Sequence, residues 1–553
     1  AAKTISGNLN INTGAVLNLG TGLTQSSLSL ILGGSTQTSG TSYGGTGSAA
    51  SVINTTYFAA STGILNVNIC TVGTWLGTTS TDWNTASNWC SGTLPTAATN
   101  VTIPSGGNQP TISGAAACNN ITINSGATLT IAATGTLSVS GAITKTGTLT
   151  LSTGSTVNYA GGTQTVLDGA YSNLTISGTG TKTWTLASTR TIGGNFTIAA
   201  GTTLTIAAGR GPTVTGTTSV SGTLSLNVST TRTSTFNGDI IINSGGTWTG
   251  TTASPFTIAG NLQNNGTFTG SNAATSGVYT FSGSGKTISG TSIINIPYAT
   301  ITGTVTNNGN LTVSTVLAGT GTLTNSSVGT LNIGGTATIT TLTATAVGNT
   351  VNYNAAAAQG TCKVTTYHNL ILSGTSAKTF ATAPTVNGVL SMEGTATITL
   401  TSGTNVTYGA NAALQYNAGT NTRTVTTTEW PATFSGTGGV IIKGTGIITL
   451  NAAKVLGTNT NVPLNITSGA KLATGNFGLT FHGDFINSGT FTAGSSPIVI
   501  TGTTATQSIA GFATTGAVSM TKTSGTATVT GNIGAAALTI NGSGGTLNLG
   551  TSL

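Results

Sequence analysis

Apolar residues in this chain fall in pairs two positions apart, and the pairs recur about every 8 residues. From residue 121 it reads "ITINSGATLTIAATGTLSVSGAITKTGTLTLSTGSTVNY", with pairs at Ile121/Ile123, Leu129/Ile131, Leu137/Val139, Leu149/Leu151 and Val157/Tyr159. A separation of two puts both members on one face of a strand. Between the pairs stand "NSG", "ATG" and "STG", where Gly or Asn takes the positive φ of a tight turn. Short strands and very short turns continuing in this way predict an all-β chain folded as a right-handed parallel β-helix, or solenoid, of short strands. Three strands make a coil of roughly 22–25 residues, and each coil buries its inward Leu, Ile and Val against the next. Tandem β-sandwich repeats are the alternative. The shortness of the turns and the absence of Pro/Gly-rich linkers between units of about 100 residues weigh against them.

Longer echoes point to duplicated modules. "VNYAGGTQTVLDGAYSNLTISGTGTKTW" (157–184) returns as "VNYNAAAAQGTCKVTTYHNLILSGTSAKTF" (351–380), so that Tyr159 matches Tyr353, Asn173-Leu174 matches Asn369-Leu370, and Lys182 matches Lys378. "GNLQNNGTFTG" (260–270) returns as "GDFINSGTFTA" (483–493). One stretch breaks the rhythm. Residues 70–123 hold three of the six tryptophans (Trp75, Trp83, Trp89), three of the four cysteines, and Pro95, Pro104 and Pro110. It reads as a module start, with the three tryptophans as the core of a cover over the open edge of a solenoid beginning near Asn119. The organisation expected is a solenoid segment at 1–69, the Trp/Cys/Pro-rich start at 70–120, a β-solenoid at 121–350, and a second with the repeated supermodule at 351–553.

"TWLGTTSTDWNTASNWCSGTLPTAATNVTIPSG" followed by "CNNITINSGATLTI" resembles a segment of very large surface and extracellular proteins of Bacteroidetes-type bacteria, which leave the cell by type IX secretion. The unit "YSNLTISGTGTKT" (171–183) is similar to repeats in the same proteins. The resemblance implies an extracellular or cell-surface location, solenoid architecture, and roles in adhesion, matrix or appendages. This chain departs in lacking the C-terminal sorting domain typical of that family, which was removed, belongs to a longer precursor, or was never there. No signal peptide stands at residue 1 either.

Composition adds to the picture. Only 4% of residues are charged, Gly numbers 82, and 37% of residues are hydrophobic, with mean hydropathy +0.24; roughly 23% are Thr, an excess over ordinary globular usage. That is too apolar for a disordered low-complexity chain. The net charge of +8 is spread thinly from Lys3 to Lys522, so the dense basic patch that nucleic acid requires is absent. No run approaches the ~20 apolar residues of a membrane helix; "LSLILGG" (28–34) reads as a buried strand. With so few ion pairs, folded stability should respond little to salt or pH, and trypsin should leave Lys145 and Lys286 uncut.

Four cysteines allow three pairings. Cys90 and Cys118 bracket the proline-rich loop and are the expected disulfide, with Cys70 as the competing partner and Cys362 alone. An extracellular setting suits such a bond. Chemistry is sparse. The six acids are Asp82, Asp168, Asp239, Glu393, Glu429 and Asp484, too few for the clustered carboxylates of a polysaccharide-cleaving β-helix. Asp82 reads as a turn cap, and His482 with Asp484 as an outward polar pair. No metal, cofactor or catalytic set is expected. Thr-x-Thr triplets at 128–130, 148–150 and 203–205 would suit an ice-binding ladder only if stacked on consecutive coils, and they are expected on different strands. Trp184, Trp248 and Trp430 could stack on sugars but read better as packed corners.

The two ends echo one another: "NLNINTGAVLNLGTGL" (8–23) and "ALTINGSGGTLNLGTSL" (537–553). Both read as ordinary coils without a charged or proline gatekeeper, and an open solenoid end is adhesive. The expected interface is Leu9, Ile11, Val16, Leu17 and Leu19 against Leu538, Ile540, Leu547 and Leu549, a non-closing contact between copies. The function expected is therefore a non-enzymatic structural subunit of an extracellular fibre or matrix filament. The expected partner is the chain itself, head to tail, with glycans or other matrix components beside it; no nucleic acid and no membrane insertion are expected. The alternative is an adhesin or carbohydrate-binding stalk within a giant surface protein.

Overall fold

The computed structural model describes residues 4–38, 40–67, 71–207, 210–227, 232–250, 254–270 and 277–550. The chain is all-β, its parallel strands stacked into a β-solenoid of about 26 turns. It divides into two compact units, Ala1–Ser225 and Leu226–Leu553.

In the first unit a coil has three strands, as the 8-residue pairing requires. Ile121–Ile123 lies between Val101–Ile103 and Ile143–Lys145, Thr128–Ile131 between Thr111–Ile112 and Thr148–Leu151, and Thr136–Val139 between Ala115–Cys118 and Thr156–Tyr159, all parallel. Parallel pairing between strands one coil apart is incompatible with β-sandwiches, whose neighbouring strands run antiparallel. The first regular coil is 101–118, so the solenoid begins about twenty residues before the expected boundary near Asn119. Coil length varies more than the spacing suggests, from 17 residues at Thr156↔Asn173 to 26 at Ala413↔Gly439, the difference falling in the turns.

The inward pairs are buried as expected: Ile121, Ile123, Leu129, Ile131, Leu137, Val139, Val157 and Tyr159 are all core residues. Leu149 and Leu151 are the exception, being half-buried. One column runs Cys118, Val139, Tyr159, Ile176, Ile198, Val220 by successive parallel pairing. Cys118 therefore points into the stack and is a free thiol. The expected Cys90–Cys118 disulfide does not form. Spacing along the chain could not reveal that Cys118 occupies an inward strand position, where an aliphatic residue stands on every other coil of the column except Tyr159. Cys90 is buried in the tryptophan layer. Cys70 lies outside the described residues.

Residues 4–67 depart from the regular coil. They form a six-stranded sheet in which Thr4–Ile11 pairs parallel with Thr24–Leu32, and that strand pairs parallel with Ile64–Val67, while Ser35–Thr36 and Ser42–Gly44 make antiparallel pairings. The hydrophobic core cluster is Ile11, Leu19, Leu30, Leu32, Tyr43, Phe58, Leu65 and Val67. Ile11 and Leu19 are thus already buried inside this module, against the expectation that they stand open. Leu9 and Leu17 are half-buried against the cluster, and Val16 is exposed.

The second unit is also three-sided. From 423 to 492 its faces are the strand sets Gly439–Lys443/Leu464–Ile466/Phe485–Asn487, Arg423–Thr424/Ile447–Thr449/Lys471–Ala473/Thr490–Thr492 and Thr433–Phe434/Lys454–Leu456/Leu479–Phe481. Aromatic rings fill wide cross-sections: Trp248 packs at 5.2 Å on Phe236, 5.8 Å on Phe256 and 5.9 Å on Phe268.

Candidate functional site

Besides residues 4–67, two places in the fold stand apart from the plain repeat: the tryptophan layer and the last coil. The layer is built on Asn88, a fully buried side chain. Its Oδ1 accepts the amides of Thr79 and Ser80, and its Nδ2 donates to Ser80 Oγ and to the Asp82 carbonyl. That fixes the loop from which Trp75, Trp83 and Trp89 project. Trp89 stands edge-on to both others, with centroids 4.9 Å from Trp75 and 4.5 Å from Trp83. Its indole donates to the Trp83 carbonyl, and that of Trp75 to the Asn108 carbonyl. The layer is hydrogen-bonded to the first coil at two points, Thr74↔Thr102 and Asp82↔Thr111. All three rings are buried, and the layer lies against coil 101–118. Asp82 caps its turn, accepting Asn84 N and Thr85 Oγ1.

The last coil carries strands Ala537–Ile540 and Thr546–Asn548, each the final member of its sheet. Leu538 and Ile540 continue the inward column of Val518 and Met520, and Leu547 that of Ala527. Leu538 is 43% exposed, Ile540 58% and Leu549 42%, and Leu547 is half-buried. These four residues are where the sequence placed an interface.

The charged side chains that sequence reading passed over are the buried ones. Lys182 is enclosed, its Nζ donating to the carbonyls of Gly161, Ser177 and Thr179 at 2.6–2.8 Å. Beneath it in the ladder Gln164 donates to the carbonyls of Val139 and Gly141. The same station recurs in the second unit. Lys378 caps Ala355 O and Thr375 O, and its ladder partner Gln359 donates to Ile333 O and Gly335 O. Beside each station two tyrosine hydroxyls meet at 3.0 Å, Tyr159 with Tyr171 and Tyr353 with Tyr367. Gln507 and Lys522 make a third, looser version. Burial pushes the ammonium pKa of Lys182, Lys378, Lys454 and Lys522 down. The signal was present in the alternation: Lys182 and Lys378 stand two residues before Trp184 and Phe380, on the inward face.

Acids are equally structural. Asp168 pairs with Arg190 (Nε–Oδ1 2.6 Å), whose hydrogen bond holds its carboxyl below the usual range. Glu429 is fully buried and accepts from Thr426 N and Tyr416 Oη, with Arg423 3.8 Å away. His482 Nδ1 accepts Asn459 N, while Asp484 accepts Ser508 N and Asn461 Nδ2, so each of the pair braces a different backbone segment. Among the described residues no group of three or more His, Cys, Asp or Glu is placed to hold a metal ion. No helix among them is long and apolar enough to cross a membrane.

Trp184, Trp248 and Trp430 are fully buried and offer no face to a sugar. The threonine triplets, expected on different strands, do stack in places. Thr128 and Thr130 lie over Thr148 and Thr150, and Thr304/Thr306, Thr322/Thr324 and Thr341/Thr343 fall on three consecutive coils. Buried asparagines form an inner ladder, Asn307 Nδ2 donating to Asn325 Oδ1 at 2.8 Å and Asn349 Nδ2 to Asn325 O.

Burial has a direct consequence for the thiols, since it pushes both Cys118 and Cys362 up to about 12. Because the thiolate is the reactive form, both should resist maleimide at neutral pH in the folded chain and react fully once it is denatured. Rapid labelling of either in the native state would contradict the inward placement.

Fold and side chains together define a β-solenoid repeat protein. Residues 74–163 match a family described as Domain of unknown function (DUF8693), a stretch spanning the tryptophan layer and the first coils it covers. No curated protein and no solved structure matches the chain.

Proposed function

We propose that the chain is a non-enzymatic structural subunit of a fibre or matrix filament at or outside the cell surface, its copies joined by stacking of terminal coils. The observation that carries this reading is the last coil. Its inward columns continue to Leu538, Ile540, Leu547 and Leu549, which no other described residue covers, and its backbone edges are hydrogen-bonding templates for a further parallel strand. Full burial of each such side chain contributes about 1.5–3 kcal/mol, against the entropic cost of association. Many ionisable groups serve the architecture: the buried lysines donate to backbone carbonyls, and Asp82, Asp168, Asp239, Glu429 and Asp484 accept backbone amides. That use favours a mechanical role over a catalytic one.

The test is electron microscopy and sedimentation of the 553-residue chain over the micromolar range. Regular filaments that lengthen with concentration are the expected result. Monodisperse particles at every concentration would overturn the filament and leave the stalk reading, in which a covalent neighbour covers the same coil.

A further inference from the structure

We infer that segment 457–461 is an acid-released strap, which the neutral imidazole of His482 holds against the following coils and lets go when the ring takes up a proton. The segment reads "GTNTN" and lies between the strands Lys454–Leu456 and Leu464–Ile466. Asn459 is its central residue. Asn459 N donates to His482 Nδ1 at 3.1 Å in the next coil, and Asn459 O accepts Thr503 Oγ1 at 3.4 Å from the coil after that. Asn461 makes a second tie, accepting Asp484 N at 3.0 Å and donating through Nδ2 to Asp484 Oδ2 at 3.2 Å. Asn459 holds φ +81°, a left-handed conformation shared by only two other non-glycine residues among those described, Ser376 and Asn476. Such a conformation costs free energy and persists where the surrounding contacts over-determine it. The strap also lies beside a thin joint. Strands Phe485–Asn487 and Thr506–Ile509 share the single register pair Phe485↔Ile509, against three between Phe485–Asn487 and Leu464–Ile466.

The bond to Asn459 sets the state of the ring. A nitrogen that accepts an N–H carries no proton of its own, so the single proton of His482 sits on Nε2. Protonation places a second N–H at Nδ1, donor against donor, and the tie to the strained Asn459 is lost. The ring is also packed from the far side, since a side chain at Gly502 would bring its Cβ to 3.2 Å from Nδ1. Three charged groups lie on the elements around it. Asp484, two residues on, is engaged by Ser508 N and Asn461 Nδ2. Lys454, on the strand before the strap, turns inward to Trp430 O. Lys522 donates to Thr504 O at 3.2 Å, and neither 457–461 nor 500–504 holds a charged residue. Burial first, and then the charge of Lys522, lower the pKa of His482. A lowered folded pKa makes closure of the strap fully stable above the ordinary value of about 6.5 and weakens it as pH falls from there toward the folded value. The chain's other histidine, His368, accepts Gly348 N through Nδ1 at 3.3 Å, where the left-handed residue is a glycine and no side chain is strained.

The test follows the full chain by nuclear magnetic resonance from about pH 7.5 down to pH 5, reading the imidazole signals and the exchange of the Asn459 amide. Two histidines give two imidazole signals, and the one missing from a His482→Gln chain belongs to His482. That signal is expected to titrate below about 6.5. Protection of the Asn459 amide, corrected for intrinsic exchange, is expected to fall below about pH 6.5 by a factor approaching ten per pH unit until the folded value is passed. In the His482→Gln chain, whose side chain stays neutral, the protection should not change over this range. A His482 that titrates at or above about 6.5, or an Asn459 amide equally protected at both ends of the range, overturns the inference. So does the same fall in the His482→Gln chain, which would place the sensor elsewhere. These readings need no variant except for assignment, so a His482→Gln chain that fails to fold still leaves the unsubstituted chain to decide, with Asn459 protection set against both imidazole titrations.

Discussion

Above about pH 10 the folded chain is expected to lose stability steeply. The groups responsible are hydroxyls and thiols that the fold keeps protonated. Burial pushes Cys118 and Cys362 up to about 12. Burial is also the leading cause of the raised pKa of Tyr159, Tyr171, Tyr353, Tyr367, Tyr408 and Tyr416. In the unfolded chain these groups ionise near their ordinary values, about 8.5 for thiols and about 10 for phenols. Above those values the unfolded state binds fewer protons than the native state, so stability falls as pH rises. Each thiol held protonated costs about 1.4 kcal/mol per pH unit above its unfolded value, so the two thiols together cost about 6 kcal/mol by pH 11, and the phenols add to that loss above pH 10. The four buried lysines act with the opposite sign. Their folded pKa is lowered, so stability grows as pH rises from that value to about 10.4 and no further; they soften the onset without moving the limit. Thermal unfolding followed from pH 6 to pH 11.5, with phenol ionisation read by absorbance, checks this. Phenols that titrate near pH 10 in a chain still folded would contradict it. The sequence expectation that pH hardly matters counted only side chains charged at neutral pH and left these buried hydroxyls and thiols out.

Strand geometry alone made the repeating part of the fold legible in the sequence. Period-two pairs such as Ile121/Ile123 and Leu137/Val139 had to share a face, and a face of Ile, Leu and Val had to be inward. The echo between 157–184 and 351–380 likewise became two copies of one arrangement, because matched residues do the same thing in each copy. Tyr159 and Tyr353 each hold a second tyrosine, and Lys182 and Lys378 each close a turn. The features that stayed hidden depend on which coil lies next to which. Nothing in "AAAC" says that Cys118 faces inward, and coils of 17 to 26 residues blur the register that would show Thr128 beneath Thr148. Residues 4–67 misled for a related reason. Their alternation is that of a coil, but the excursion between Leu32 and Ile64 folds back antiparallel, and short antiparallel strands have the same period as parallel ones. At the last coil the alternation of Leu538/Ile540 and Leu547/Leu549 was legible for the same reason, since strand period is a local property.

Replacing Trp89 by alanine should have the largest effect of any single substitution in the first unit. Trp89 is buried between Trp75 and Trp83 and ties the layer together through its indole bond to Trp83 O. Truncating a buried tryptophan costs about 3–5 kcal/mol, and here it also orphans the Trp83 carbonyl. Stability in a stacked repeat is a sum over coils and their neighbours, so the loss should stay local, opening the layer and the coils it covers while the distant ones hold. Lys145 is exposed on a strand of a coil close to the layer and reports this directly. Trypsin should leave the native chain uncut there, and cleave the Trp89→Ala chain at Lys145 well before Lys363, far along the second unit. Leu370→Ala, deep in the second unit, is the control: it removes a buried side chain of its own coil and should leave cleavage at Lys145 unchanged. If Trp89→Ala instead unfolds the chain in one transition, the coils are coupled over a longer range than nearest-neighbour stacking provides. If it changes nothing, the layer is ornamental, and coil 101–118 is held by its own ladder without a cover.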